Sequence, residues 1–133
     1  MVAGYSATPL SRKLGIKPAM RLAFDSAPSG WVPDAPDDVV VAAASEPADL
    51  IIAFFRYADE LPARLPALAE RIFPAGAVWI AWPRRAGGHS SDITDNVVRE
   101  HALPLGIVDV KVAAIDEDWS GLRFVWRTNR RAR

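Results

Sequence analysis

The sequence predicts a three-layer α/β sandwich, with a mostly parallel sheet between helices and an antiparallel hairpin at its C-terminal end. Three observations predict it. The run Leu50–Phe55 is continuously apolar, as in a central strand covered on both faces. Helical and strand-like patterns then alternate between Asp59 and Leu103. Last, two strand-like segments, Val108–Ile115 and Gly121–Arg127, are separated by the five residues Asp116–Ser120, a hairpin-length connection.

In chain order, Pro9–Leu14 reads as a short helix with proline in its first turn and Gly15 as its stop. Arg21–Ala27 is an apolar strand. The stretch Pro28–Pro36 holds too much proline for a long helix. Val39–Ala43 is a second, short strand, and only Ala44–Asp49 separates it from the Leu50 strand. That link is too short for a helical crossover, so the Val39 strand is either antiparallel to its successor or not its direct neighbour. Asp59 is the expected N-cap of a helix whose Leu61, Leu65, Leu68, Ala69 and Ile72 share one face. Pro62 suits its first turn, whereas Pro66 predicts a kink or a second start. Ala77–Trp82 is a strand ended by Pro83, and a polar, glycine-containing loop, Arg84–Ser91, follows. Ser91 or Asp92 is the expected cap of a helix running to about Leu103, with Ile93, Val97 and Val98 inward and Gly106 as stop. Trp79 and Trp82, at odd spacing on one strand, should face opposite sides of the sheet.

The bulk numbers fit one domain over residues 1–133, with about 128–133 as a mobile basic tail. Sixteen basic residues balance sixteen acidic ones, which argues against nucleic acid or an anionic membrane as a general partner. There are no cysteines, so disulfides and thiolate chemistry are excluded. The polar start Gly4–Thr8 has no signal-like pattern, and no apolar run is long enough to span a bilayer, so a soluble cytoplasmic protein is expected. Charge is nonetheless uneven: Asp25–Glu60 carries eight acids and one base, and the last eleven residues carry five arginines and no acid.

The strand–helix–strand–helix–hairpin run from Leu50 to Arg127 resembles the C-terminal half of a Rossmann-like S-adenosylmethionine-dependent methyltransferase. Phe73-Pro74-Ala75-Gly76-Ala77-Val78-Trp79-Ile80 is similar to the lead into that fold's fifth strand. The whole chain resembles an uncharacterised bacterial family, domain of unknown function 3052. The matching stretches are Lys13–Pro18, Asp49–Arg56, Val78–Arg84 and Asp118–Arg123. That family implies no activity. The methyltransferase likeness stops at the turn after the first strand, Asp25-Ser26-Ala27-Pro28-Ser29-Gly30-Trp31, where Ala27, Ser29 and Trp31 replace the small glycines that let backbone approach the methyl donor.

In open α/β sheets ligands bind beyond the carboxyl ends of the parallel strands. On this assignment that edge gathers Ser26, Ser29, Gly30, Arg56, Arg84, Arg85, Gly88, His89, Ser90, Ser91 and Asp92, a set of hydroxyls, cations and loop backbone suited to a small anion. A solvated loop rim is the competing reading. His89 lies near Ser91 and Asp92, but sequence neighbours rarely form a triad, and no G-x-S-x-G elbow is present. Two histidines without ligand spacing argue against zinc, and Asp116–Asp118 reads as a polar hairpin tip rather than a calcium loop. Trp119 is expected to pack at the sheet's end. The sequence therefore favours a non-catalytic binding or interaction module with no cofactor, one that takes a small anionic ligand or forms a homodimer. The alternative is a small enzyme or sensor for a phosphate-bearing or nucleotide-like ligand at the same edge.

Overall fold

The computed structural model describes residues 9–43 and 45–132, so the expectations for Gly4–Thr8, Ala44 and Arg133 fall outside the described residues. In chain order the elements are α1 (Leu10–Leu14), β1 (Arg21–Asp25), β2 (Val40–Val41), β3 (Leu50–Phe54), α2 (Glu60–Ile72), β4 (Ala77–Pro83), α3 (Asp95–Ala102), β5 (Ile107–Ala114) and β6 (Trp119–Trp126). Among the described residues the sheet has the order β2-β1-β3-β4-β6-β5. β2, β1, β3 and β4 pair in parallel, and β6 runs antiparallel to both β4 and β5. The predicted mostly parallel sandwich with its closing hairpin is the observed fold.

The two faces are covered differently. Ile51, Ala53, Val78, Ile80, Trp82, Leu122 and Phe124 pack on one face with the α2 residues Leu61, Leu65 and Leu68 and with Val98 of α3. The other face presents Leu50, Ile52, Phe54, Trp79 and Ala81, and is roofed by Leu14 of α1, Ile16, Ile115 and Trp119, with Trp31 packed against them. Trp79 and Trp82 do fall on opposite faces, as their spacing requires. Trp79 anchors α1 by donating its indole N–H to the Leu14 carbonyl at 2.8 Å. Trp126 does the same for α2, through the Ala69 carbonyl at 2.8 Å.

β2 is parallel to β1 and not adjacent to β3, which settles the choice that the short link left open. It is also shorter than expected, since only Val40 and Val41 pair. β1 stops at Asp25 rather than Ala27 because Ser26 turns into left-handed backbone at φ 59°. Such a conformation costs a non-glycine residue of order 1 kcal/mol.

Pro66 neither kinks α2 into two elements nor restarts it: one helix runs from Glu60 to Ile72 with Pro66 inside. The amide that Pro66 lacks would have bonded the Pro62 carbonyl. Both prolines are exposed, so water can take that acceptor's place. Asp59 stands at the N-cap without a side-chain bond, and Glu60 Oε1 instead accepts the Arg56 and Tyr57 amides at 2.5 and 2.9 Å.

The cap of α3 is Thr94, not Ser91 or Asp92. Thr94 Oγ1 accepts the Val97 amide at 3.2 Å, and Asp95 supplies the first-turn acid. Ser91 Oγ accepts the Ile93 amide at 3.1 Å and Asp92 Oδ1 the Ala58 amide at 2.9 Å, so both oxygens serve the loop before the helix. α3 ends at Ala102, where a 3-10 turn through Pro104 replaces the last predicted turn and Gly106, at φ 104°, reverses the chain. The basic C-terminal end forms a 3-10 turn at Thr128–Arg130, and Arg131 donates back to the Trp126 carbonyl at 3.0 Å.

Candidate functional site

The carboxyl edge of the parallel strands is where Asp25, Phe54, Pro83 and Ala114 end β1, β3, β4 and β5. The sheet's topological switch point lies between β1 and β3, because β1 leads outward to β2 while β3 leads the other way to β4. A ligand crevice is expected there.

On the α1 side of the sheet that crevice is filled. The loop after β1 returns Trp31 onto the edge, where its ring meets Phe24 at 6.1 Å and Phe54 at 4.9 Å, both edge-to-face. Phe54 meets Trp119 at 4.9 Å in the same manner, and the Arg56 guanidinium lies 5.2 Å over the Trp119 ring. Edge-to-face pairs are favourable beyond the area they bury. The Trp31 indole N–H donates to Asp116 Oδ2 at 3.0 Å, while Asp116 Oδ1 accepts the Asp118 and Trp119 amides. Asp116 therefore acts as a fastener between loop and hairpin tip.

On the α2 side of the switch point Arg64 lines a cleft of about 410 Å³ with Phe24, Asp25, Ala67 and Leu68. Its Nη1 donates to the Phe54 carbonyl at 2.9 Å, its Nη2 lies 3.0 Å from Asp25 Oδ2, and its guanidinium stacks 3.9 Å over the Phe55 ring. The Nη2–Asp25 contact is an ion pair without hydrogen-bond alignment, since Nη2 is buried and makes no hydrogen bond. The loop carrying Trp31 is tied down at Asp34, which accepts the Ser11 amide at 3.2 Å and the Ser11 hydroxyl at 2.9 Å. The Ser11 hydroxyl, then its amide, hold the Asp34 carboxyl below its ordinary value.

Further along the same edge, the Arg84–Asp92 loop is fastened at both ends. The Arg84 amide donates to the Asp118 carbonyl at 2.7 Å, His89 Nε2 lies 2.9 Å from Asp118 Oδ1, and Asp92 takes the Ala58 amide. Gly87 lies so close to the hairpin that a Cβ there would stand 2.2 Å from the Glu117 carbonyl oxygen, so only glycine fits. Beside this loop opens a cleft of about 390 Å³. Trp82, Pro83, Ile93 and Val112–Ala114 form its apolar walls, and Arg85, Ser91, Thr94, Asp95 and Ser120 bring polar groups. Asp95 is paired with Arg99 at 3.2 Å. Arg99 also bonds Asp109 at 3.0 Å, and that bond raises the arginine's pKa. The Arg85 side chain makes no hydrogen bond or ion pair with any described residue.

The sequence-predicted residues thus share an edge but not a site. Arg85 and Ser91 line the cleft. Ser26 bonds its neighbour Asp25 at 3.2 Å, and Arg56 covers Trp119. His89 and Asp92 hold the loop in place. Arg84 is half-buried, and Ser29, Gly30, Gly88 and Ser90 are exposed. Sequence reasoning missed Arg64, Trp31 as the crevice filler, and Asp116. Arg64 left one sign, a basic side chain set among the inward positions Leu61, Leu65 and Leu68 of α2. Among the described residues no cluster of three metal-ligating side chains occurs, and no helix is long and apolar enough to cross a membrane.

No family model and no curated protein sequence matches the chain. Among solved structures it is similar to a protein of the NADB-Rossmann superfamily from Streptococcus agalactiae, with a TM-score of 0.52 at 10% identity, over 95% of this chain and 70% of that one. At that identity the likeness concerns the fold alone.

Proposed function

Starting from a Rossmann-like sheet with the α1 side of its switch point packed, we propose that this protein is a non-catalytic binding module whose ligand docks in the cleft beside β4 and the β5–β6 hairpin. The observation that carries this reading is Arg85. It is a cation with no described partner, at the margin of a cleft whose walls are largely apolar. Such a cleft suits a small molecule with an apolar body and one anionic group, the body against Trp82, Ile93 and Val112 and the anion on Arg85. The Ser91, Thr94 and Ser120 hydroxyls can orient polar atoms of the same ligand. Asp95 favours an anion held toward Arg85 and away from the first turn of α3.

The packing of Trp31 and Phe54 supports the exclusion of the methyl donor from the α1 side of the switch point. We also retain the family assignment to domain of unknown function 3052 as a proposal. In its support, two of the resembling stretches, Lys13–Pro18 and Val78–Arg84, meet at the Trp79–Leu14 bond.

A thermal-shift panel of S-adenosylmethionine, nucleotides, sugar phosphates and acyl-coenzyme A tests the reading. One class should give a saturable rise in Tm that Arg85→Ala abolishes. The same substitution should leave the unliganded protein within about 0.5 kcal/mol of wild type, as an exposed unpaired side chain predicts. If no class gives a rise that Arg85→Ala abolishes, the cleft assignment is overturned.

A further inference from the structure

Arg123 occupies an interior position that ordinarily goes to an apolar side chain. β6 lies between β4 and β5, and the row across the α1 face of the sheet reads Ile52, Trp79, Arg123, Lys111. The guanidinium is half-buried, and burial pushes its pKa down by disfavouring the charged form. Other arginines in comparable settings have carboxylates: Arg64 has Asp25, and Arg99 has Asp109 and Asp95. The Arg123 side chain has no hydrogen bond or ion pair with any described residue, and its in-register neighbour on β5 is another cation. Like charges directly opposite on adjacent strands repel.

The surroundings add positive charge and donors. Lys111 Nζ donates to the Lys13 carbonyl at 3.2 Å, and Lys13 Nζ donates to the Ala114 carbonyl at 3.0 Å. The Lys111 amine is therefore drawn to the C-terminal end of α1, and the Lys13 amine to the end of β5. The left-handed turn at Gly15, φ 84°, closes over the arginine, and a Cβ there would stand 4.0 Å from its Nε and Nη2. The carbonyls at the end of α1 offset little of this charge. The helix is five residues long, the Leu14 carbonyl serves Trp79, and the Lys13 carbonyl serves Lys111.

We propose that Arg123 and Lys111, with Lys13 at the margin, form a phosphoryl-binding site beneath the end of α1, separate from the rim cleft. The planar fork of Arg123 presents paired donors to two oxygens of one phosphoryl group, and Lys111 adds a point charge that a dianion matches. None of these side chains lines the Arg85 cleft, so this site stands or falls independently of the function proposed above.

Melting of the full chain in phosphate and pyrophosphate, against sodium chloride at matched ionic strength, tests the site. The expected result is a phosphate-specific rise of about 5 °C at tenfold excess over Kd. Arg123→Leu and Lys111→Ala should each abolish the rise, and Arg85→Ala should keep it. If Arg123→Leu does not fold, Lys111→Ala carries the comparison. No phosphate-specific rise, or one that survives Arg123→Leu or Lys111→Ala, overturns the proposal. Loss of the rise in Arg85→Ala alone assigns phosphate to the rim cleft and overturns it as well. So does a response to short single-stranded DNA with none to phosphate or pyrophosphate, because the surface would then read a nucleic-acid backbone.

Discussion

Two stretches of one sheet edge have opposite contents. Beyond β1 and β3 the α1 side of the edge is packed with the rings of Phe24, Trp31, Phe54 and Trp119, and the α2 side holds a cleft in which Arg64 is neutralised by Asp25. Beyond β4 and β5 the edge opens into a cleft with an unneutralised arginine. The difference lies in the connecting segments. The link after β1 is long enough to fold back and plant an indole on the strand ends, held by Asp116 and, through Asp34, by Ser11. The link after β4 is instead pinned away from the sheet by the hairpin tip and by Ala58. A strand order that creates a crevice therefore does not decide whether the crevice is empty; the returning loop does.

Three changes break or sharpen that contrast. The largest effect belongs to Phe54, 2% exposed and held between Trp31 and Trp119. Phe54→Ala should cost about 3–5 kcal/mol in urea denaturation. A loss below about 1 kcal/mol would mean that the packed half of the edge is no tighter than the open half. Trp31→Phe keeps a ring in the crevice and removes the indole donor, so the expected loss is about 1 kcal/mol. Equal stability of the two proteins would show that packing alone retains the loop.

The smallest effect is at Ser11. Because the Asp34 carboxyl is held below its ordinary value, its contribution is present above the unfolded-state pKa and disappears as pH falls through the lower folded-state value. In Ser11→Ala the Asp34 pKa should return toward the usual carboxylate range, and the acid-side loss of stability should flatten correspondingly. Titration of the Asp34 carboxyl by NMR checks this, and an unmoved pKa would sever Ser11 from the loop's anchoring.

Much of the fold was legible because its signals are local or count residues. The apolar run of β3 needs no partner to be recognised, and the six residues 44–49 ruled out a helical crossover by length alone. The start of α3 was misplaced for a different reason. Ser91 and Asp92 are good capping residues, but Asp92 is claimed by the Ala58 amide, 34 positions earlier. Thr94 then takes the cap. The site was legible only as an edge. That Trp31 would close the α1 side of the switch point depends on its meeting Asp116, 85 residues away, and no spacing along the chain encodes that. Pro66 teaches the converse: a strong local breaker is tolerated where its orphaned acceptor faces water and Leu65, Leu68 and Ala69 are buried beside it.

Helix α1 is barely more than one turn, far below the length at which a helix persists alone in water. What keeps it wound comes from β4 and β5: Trp79 on the Leu14 carbonyl, Lys111 on the Lys13 carbonyl, and Lys13 reaching to Ala114. The Lys13 amide bonds the Pro9 carbonyl and the Ser11 amide bonds Asp34, but a turn this short stays closed only on its support, so its protection against hydrogen exchange should fall when it separates from β4 and β5.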